Sequence, residues 1–189
     1  KRLAAMASPT PQTCKLKFMK RFVVTGAECT GKSTLTKALS AYYSEPWTAE
    51  YVRKYVDHIK RELKHEDLEQ IAKGQIKEED AALLRARRFL IHDTNLLSSI
   101  IYAKYYFSEE IGWVKKAFMG RDYTLYLLCS PEGVQWKADP GQREGPADRI
   151  DIHNQFKEQL ESLSLPYTEL VGEEEARIKK ATKAIDCLI

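Results

Sequence analysis

Gly26-Ala-Glu-Cys-Thr-Gly-Lys32-Ser33 restricts what this chain can become more than any other stretch. The spacing G-x-x-x-x-G-K-[ST] belongs to a loop that wraps phosphate groups, and such a loop works only between a strand and a helix. Both flanks are present. Residues 22–25 form a short apolar, β-branched run that reads as a buried strand, and Leu35, Ala38, Leu39 and Tyr42 fall at helical spacing. Gly26 and Gly31 permit backbone angles that a Cβ forbids, so main-chain N–H groups can close around phosphate oxygens. The helix N-terminus adds its partial positive charge. Lys32 supplies a point charge for the outer phosphates, and the Ser33 hydroxyl suits Mg²⁺. Glu28, Cys29, Thr30 and Thr34 complete the segment that would face ATP. Cys29 is either a small residue that fits the loop or a thiol whose acidity the helix N-terminus and Lys32 raise.

Elsewhere, strand-like and helix-like stretches alternate. Residues 47–50, 88–93, 123–129 and 167–171 read as strands. Residues 51–60, 67–87, 95–107, the stripe Ile152, Phe156, Leu160, Leu163, and residues 173–188 read as helices. Gln75 and Glu79 share a side of the 67–87 helix with Leu68 and Ile71. Five short strands among helices predict an α/β fold with a five-stranded parallel sheet. Right-handed crossovers then line up the strands' carboxyl ends, with Gly26, Glu50, Asp93 and Ser130 along one edge.

Charge and cysteine usage narrow the function classes. The net charge is +3, yet the first twenty residues hold five basic side chains and no acid, leaving −2 for residues 21–189. The body therefore has no electrostatic footprint for nucleic acid. Four scattered cysteines, Cys14, Cys29, Cys129 and Cys187, have no metal-ligand spacing and suggest reduced thiols and a cytoplasmic setting. No apolar run approaches the ~18 residues of a membrane span. Residues 1–20, with Pro9 and Pro11 and no periodicity, read as a flexible tail before one domain over 21–189. Met19 is a plausible natural start, which would make the preceding residues a leftover of expression.

Three further features bear on chemistry. Asp93 ends an apolar strand, where it either holds magnesium or caps the helix beginning near Asn95. Glu50, at the end of the second strand, is placed to take a proton from an acceptor hydroxyl, with Arg53 one turn on to orient it or hold substrate oxygens; a surface ion pair is the plainer alternative. Residues 136–149 carry Lys137, Asp139, Arg143, Asp148 and Arg149 among prolines and glycines. They read as a lid that excludes water and brings an arginine to the transferring phosphate, or as a solvated charged loop. Of the aromatics nearby, Trp47 and Tyr51 are the candidates for stacking on a flat base, although such stripes are usually core.

Taken together, GAECTGKSTL, TAEYVRKY, IAKGQ, FLIHDTNLL, WKADPGQR and PYTEL resemble the ribosylnicotinamide kinase domain of NadR-type proteins over about residues 20–185. The resemblance implies a P-loop kinase fold and transfer of the γ-phosphate of ATP to the 5′-hydroxyl of nicotinamide riboside. It implies ATP–Mg²⁺ on Lys32 and Ser33, with Asp93 serving the metal and the substrate. Glu50, Tyr51, Arg53, Gln75 and Asp139 would face the riboside, and Arg143 and Arg149 would come from the lid. NadR-type proteins commonly carry an adenylyltransferase domain with an H-x-G-H motif and often a helix-turn-helix segment. This chain has only His58, His65, His92 and His153, so neither property carries over. The motifs also tolerate related substrates, so a kinase of another nucleoside or a vitamin alcohol is the alternative reading, and a regulatory ATP-binding module is the non-enzymatic one. No N-K-x-D segment supports a guanine-reading GTPase.

Overall fold

The computed structural model describes residues 19–136 and 148–189. Its five strands are β1 (Lys20–Thr25), β2 (Trp47–Thr48), β3 (Phe89–Asp93), β4 (Leu125–Cys129) and β5 (Tyr167–Leu170). They form one parallel sheet in the order β2-β3-β1-β4-β5. Seven helices accompany them among the described residues: α1 (Lys32–Tyr43), α2 (Tyr51–Ile59), α3 (Leu68–Leu83), α4 (Leu96–Phe107), α5 (Gly112–Met119), α6 (Asp148–Ser162) and α7 (Glu174–Asp186). The predicted α/β class and five-stranded parallel sheet are as found. No helix among the described residues is long and apolar enough to cross a membrane.

The strands are apolar on both sides because helices cover both sides. Phe22 and Val24 of β1, Phe89 and Ile91 of β3, and Leu125 and Leu127 of β4 pack with Leu35, Leu39 and Tyr43 of α1 and Ala181 and Ile185 of α7. Val23, Tyr126 and Leu128, one residue out of step, pack on the opposite face with Leu96, Leu97 and Ile101 of α4, Phe118 of α5 and Phe156 of α6. The period of two thus sorts each strand between two cores.

Several element ends differ from the sequence reading, each for a local reason. The second strand stops at Thr48, because Glu50 leaves the sheet with extended angles as the N-cap of α2. α3 ends at Leu83, where the buried Glu45 carboxylate accepts from the Arg87 N–H (3.1 Å) and Arg88 Nε (3.1 Å) and draws the chain into β3. In α1 it is Tyr43, not Tyr42, that continues the Leu35–Leu39 stripe, its hydroxyl donating to Asp186 at 2.8 Å. α5 has no counterpart in the sequence reading; it buries only Val114 and Phe118.

Register fixes what the site can contain. Val24 pairs with Asp93, and the Thr94 N–H donates to the Val24 carbonyl at 2.9 Å. The end of β3 is thereby locked beside the first turn of the glycine loop, outside the carboxyl ends of the strands, where open α/β sheets hold ligands.

Candidate active site

The loop from Gly26 to Ser33 joins β1 to α1, as its spacing requires. Gly26 has φ +132°, and a Cβ there would lie 2.6 Å from the Cys129 carbonyl oxygen, so the neighbouring strand end leaves room only for glycine. Thr30 Oγ1 donates to the Ala27 carbonyl at 2.8 Å and tightens the turn. Lys32, almost fully buried, donates through Nζ to that same carbonyl at 2.7 Å, which holds the ammonium inside the loop's curve.

Asp93 sits next to this cradle. It is 2% exposed, hydrogen-bonded by the Ser33 side chain, and its Oδ1 has no hydrogen-bond partner. Burial pushes its carboxyl above the usual range and the negative charge of Glu50 adds to this; the Ser33 hydrogen bond, Lys32 and Arg53 oppose it. The capping alternative falls away, because Asn95 caps α4 by accepting from the Leu97 N–H at 3.1 Å. A buried carboxylate oxygen without a donor, beside a serine hydroxyl, is a hard-oxygen pair that fits Mg²⁺. Among the described residues no group of three His, Cys, Asp or Glu could hold a metal.

Glu50 and Arg53 face each other at 3.0 Å across the first turn of α2. Tyr51 anchors that turn twice. Its N–H donates to Gln75 Oε1 at 3.0 Å, and its ring lies against Gly74, where a Cβ would meet ring carbons at 2.0 Å. The glycine in the middle of α3 is therefore a seat for Tyr51. Gln75 is buried and its amide donates to Glu79 Oε1 at 3.2 Å.

Behind Asp93, His92 is fully buried, with Nδ1 2.9 Å from Thr48 Oγ1 and its ring edge-on to Tyr123. Burial drives its pKa down to about 3, helped by Arg21 and Arg121, so the imidazole is neutral. Trp47 packs with the α1 and α7 core instead of at the strand ends. Its partner is Lys37, 5.9 Å above the ring.

Of the anticipated lid, residues 137–147, including Asp139 and Arg143, lie outside the described residues. Arg149 is buried in the first turn of α6. It donates to the Cys29 carbonyl (3.2 Å) and the Val134 carbonyl (3.1 Å), with its guanidinium 5.6 Å above the Trp136 ring. Arg149 therefore grips the phosphate loop itself.

Sequence reasoning missed Arg177. It is 4% exposed and donates to four carbonyls: Gly172 (2.5 Å), Thr30 (2.9 Å), Ser130 (2.8 Å) and Glu132 (2.9 Å). One guanidinium thus ties the phosphate loop to the ends of β4 and β5 and adds a buried positive charge beneath it. The available signal was an arginine on the apolar stripe of a helix, with Ala181 and Ile185.

Comparison with known proteins bears on the family and the fold. Residues 21–177 match the family model described as an AAA domain. The trifunctional NAD biosynthesis/regulator protein NadR of Escherichia coli (strain K12) is 26% identical over 169 residues, covering 87% of this chain and 41% of that protein. The protein of the same name from Salmonella typhimurium is 26% identical over 162 residues, covering 83% and 39%. The chain thus spans about two fifths of the length of these curated relatives. Among solved structures, NadR protein in complex with NR superposes with a TM-score of 0.81 at 24% identity, covering 92% of this chain and 52% of that one. Thymidylate kinase from Ehrlichia chaffeensis gives 0.64 at 12% identity, covering 88% and 98%. Deoxyadenosine kinase from M. mycoides gives 0.61 at 11%, covering 89% and 100%. These likenesses show the fold of P-loop kinases. With the family match running from the first strand into the last helix, the chain belongs to the AAA-domain family of P-loop proteins.

Proposed function

We propose that this chain is an ATP-dependent small-molecule kinase whose acceptor is the 5′-hydroxyl of nicotinamide riboside. The observation that carries the reading is the setting of Asp93. One buried carboxylate is hydrogen-bonded by Ser33 of the phosphate loop and feels the charges of Lys32, Glu50 and Arg53. A site that only held a nucleotide needs no further carboxylate, here that of Glu50, within electrostatic reach of Asp93. The 26% identity to NadR and the solved NadR structure with NR support the choice of acceptor.

In this reading Gly26–Ser33 and Lys32 hold the ATP phosphates, and Arg177 and Arg149 keep the loop closed from behind. Ser33 and Asp93 would hold Mg²⁺, which, when bound, neutralises charge on the β- and γ-phosphate oxygens. The acceptor hydroxyl oxygen attacks the γ-phosphorus while the bond from that phosphorus to the β,γ-bridging oxygen breaks. ADP leaves with the bond's electron pair. Glu50 takes the hydroxyl proton, and Arg53, 3.0 Å away, orients it. Tyr51, seated on Gly74 and Gln75, lines the acceptor side.

The test is a panel of nucleosides and vitamin alcohols incubated with Mg²⁺–ATP, with products read by mass. Nicotinamide riboside is expected to become its mononucleotide. Another nucleoside turning over in its place would correct the acceptor and keep the reaction; ATP binding with no acceptor consumed would favour a regulatory module. Glu50→Gln is expected to lower kcat by about 10²–10⁴-fold with ATP affinity preserved. Full activity in Glu50→Gln would transfer the role of base to Asp93.

A further inference from the structure

The acceptor side rests on a buried polar chain that extends well beyond the residues facing substrate. α2 buries none of its residues completely, and its N-terminus carries Glu50, Tyr51 and Arg53. Its first N–H, that of Tyr51, is held by Gln75 Oε1. An amide side chain can present oxygen or nitrogen with equal ease, and only an oxygen can accept from Tyr51. The structure settles the orientation through Glu79, whose Oε1 accepts from Gln75 Nε2 at 3.2 Å. Glu79 is 1% exposed, and its other oxygen accepts from the Tyr123 hydroxyl (2.9 Å) and Arg121 Nη1 (3.3 Å). Arg121 is fixed in turn by Asp80 at 2.8 Å.

We propose that Glu79 is a positioning residue for the acceptor site: its carboxylate fixes the flip of the Gln75 amide, and Gln75 fixes the first turn of α2 with Glu50. The proposal rests on the kinase reading for its consequence in catalysis, but its structural content is independent of any substrate. A purely structural acid would only need to pair with Arg121. Glu79 does that with one oxygen and spends the other on an amide that reaches the site. With Glu79→Gln, the side chain that replaces the acid must direct its NH₂ either at Gln75 or at Arg121 and Tyr123. If Arg121 keeps the oxygen, Gln75 meets a donor, turns over, and offers its own NH₂ to the Tyr51 N–H.

Two readouts separate this from a loss of stability. The first is hydrogen exchange at the Tyr51 amide, which requires no substrate. It is expected to speed up about tenfold or more in Glu79→Gln, the equivalent of one buried hydrogen bond, while the rest of the sheet keeps its protection. Tyr123→Phe, which removes a donor to the far oxygen only, should leave that amide protected. The second is steady-state kinetics with nicotinamide riboside. Glu79→Gln should raise the acceptor KM about tenfold with little change in the KM for ATP, and adding Gln75→Leu should cause no further rise. Should Glu79→Gln fail to fold, Glu79→Asp keeps the charge but withdraws it from Gln75, and the same loosening at Tyr51 is expected. Unchanged Tyr51 exchange in a folded Glu79 variant overturns the proposal. Faster exchange in the variant, with a wild type that consumes no acceptor in the nucleoside and vitamin-alcohol panel, would keep the positioning role and remove the kinase reading instead.

Discussion

At the scale of single residues, the proposed function separates charges that would hold a nucleotide from charges that hold the loop. Lys32, inside the curve of Gly26–Ser33, is of the first kind, and Lys32→Ala is expected to lower phosphoryl transfer by about 10²–10³-fold, as loss of one preorganised donor to developing charge does. Arg177 is of the second kind. With four backbone carbonyls as partners, Arg177→Met should destabilise the fold by roughly 3 kcal/mol, the worth of two charge-assisted hydrogen bonds, read from the urea midpoint. His92 gives a pH signature. Its folded pKa of about 3 lies below the ordinary 6.5, so between those values the unfolded chain binds the extra proton. Stability from this group is whole above pH 6.5 and drains as pH falls toward 3, at up to about 1.4 kcal/mol per pH unit. Glu79 and Asp93, raised by burial, pull the other way. The difference between wild type and His92→Gln isolates the histidine: the variant should lose less stability between pH 6 and pH 4, measured by denaturant unfolding. Lys32, Ser33 and Asp93 were readable because a local motif and a strand end announce them. Arg177 was not, since its partners lie from 5 to 147 residues away along the chain.

Among the elements, α2 and α3 behave as one device. Gly74 costs α3 about 1 kcal/mol of helix propensity relative to alanine, and the seat it makes for the Tyr51 ring is the return. Gly74→Ala should therefore not stabilise the protein as it would in an ordinary helix. The added methyl displaces the Tyr51 ring, and a net loss of about 1–2 kcal/mol is expected by thermal unfolding, with a higher KM for the acceptor. A gain in stability with unchanged kinetics would mean that the ring does not need its seat. The alternation of strands and helices was legible because β1 and β4 are short continuous apolar runs and α6 carries apolar residues at a four-residue spacing. α5 escaped notice because two buried residues in eight set no period, and a helix that short takes its stability from packing on α4. The strand ending at Thr48 was overextended to Glu50, since nothing in W-T-A-E marks where a cap begins.

Over the whole molecule, one sheet edge gathers Gly26, Glu50, Asp93 and Ser130 from four connections, and two arginines from the last helices brace it. In the proposed function that layout divides into a donor half built on the loop and an acceptor half built on α2 and α3, meeting at Asp93. The general plan was readable from order and spacing. The bracing and the Gln75–Glu79 chain came only with the fold, because burial, not residue type, gives those groups their roles. On the proposed function, ADP formation depends on an acceptor, and this is the most direct thing to measure. With purified protein and Mg²⁺–ATP, ADP should appear one-for-one with nicotinamide mononucleotide when the riboside is present and scarcely at all without it. Equal rates of ADP formation with and without the riboside would contradict a two-substrate site.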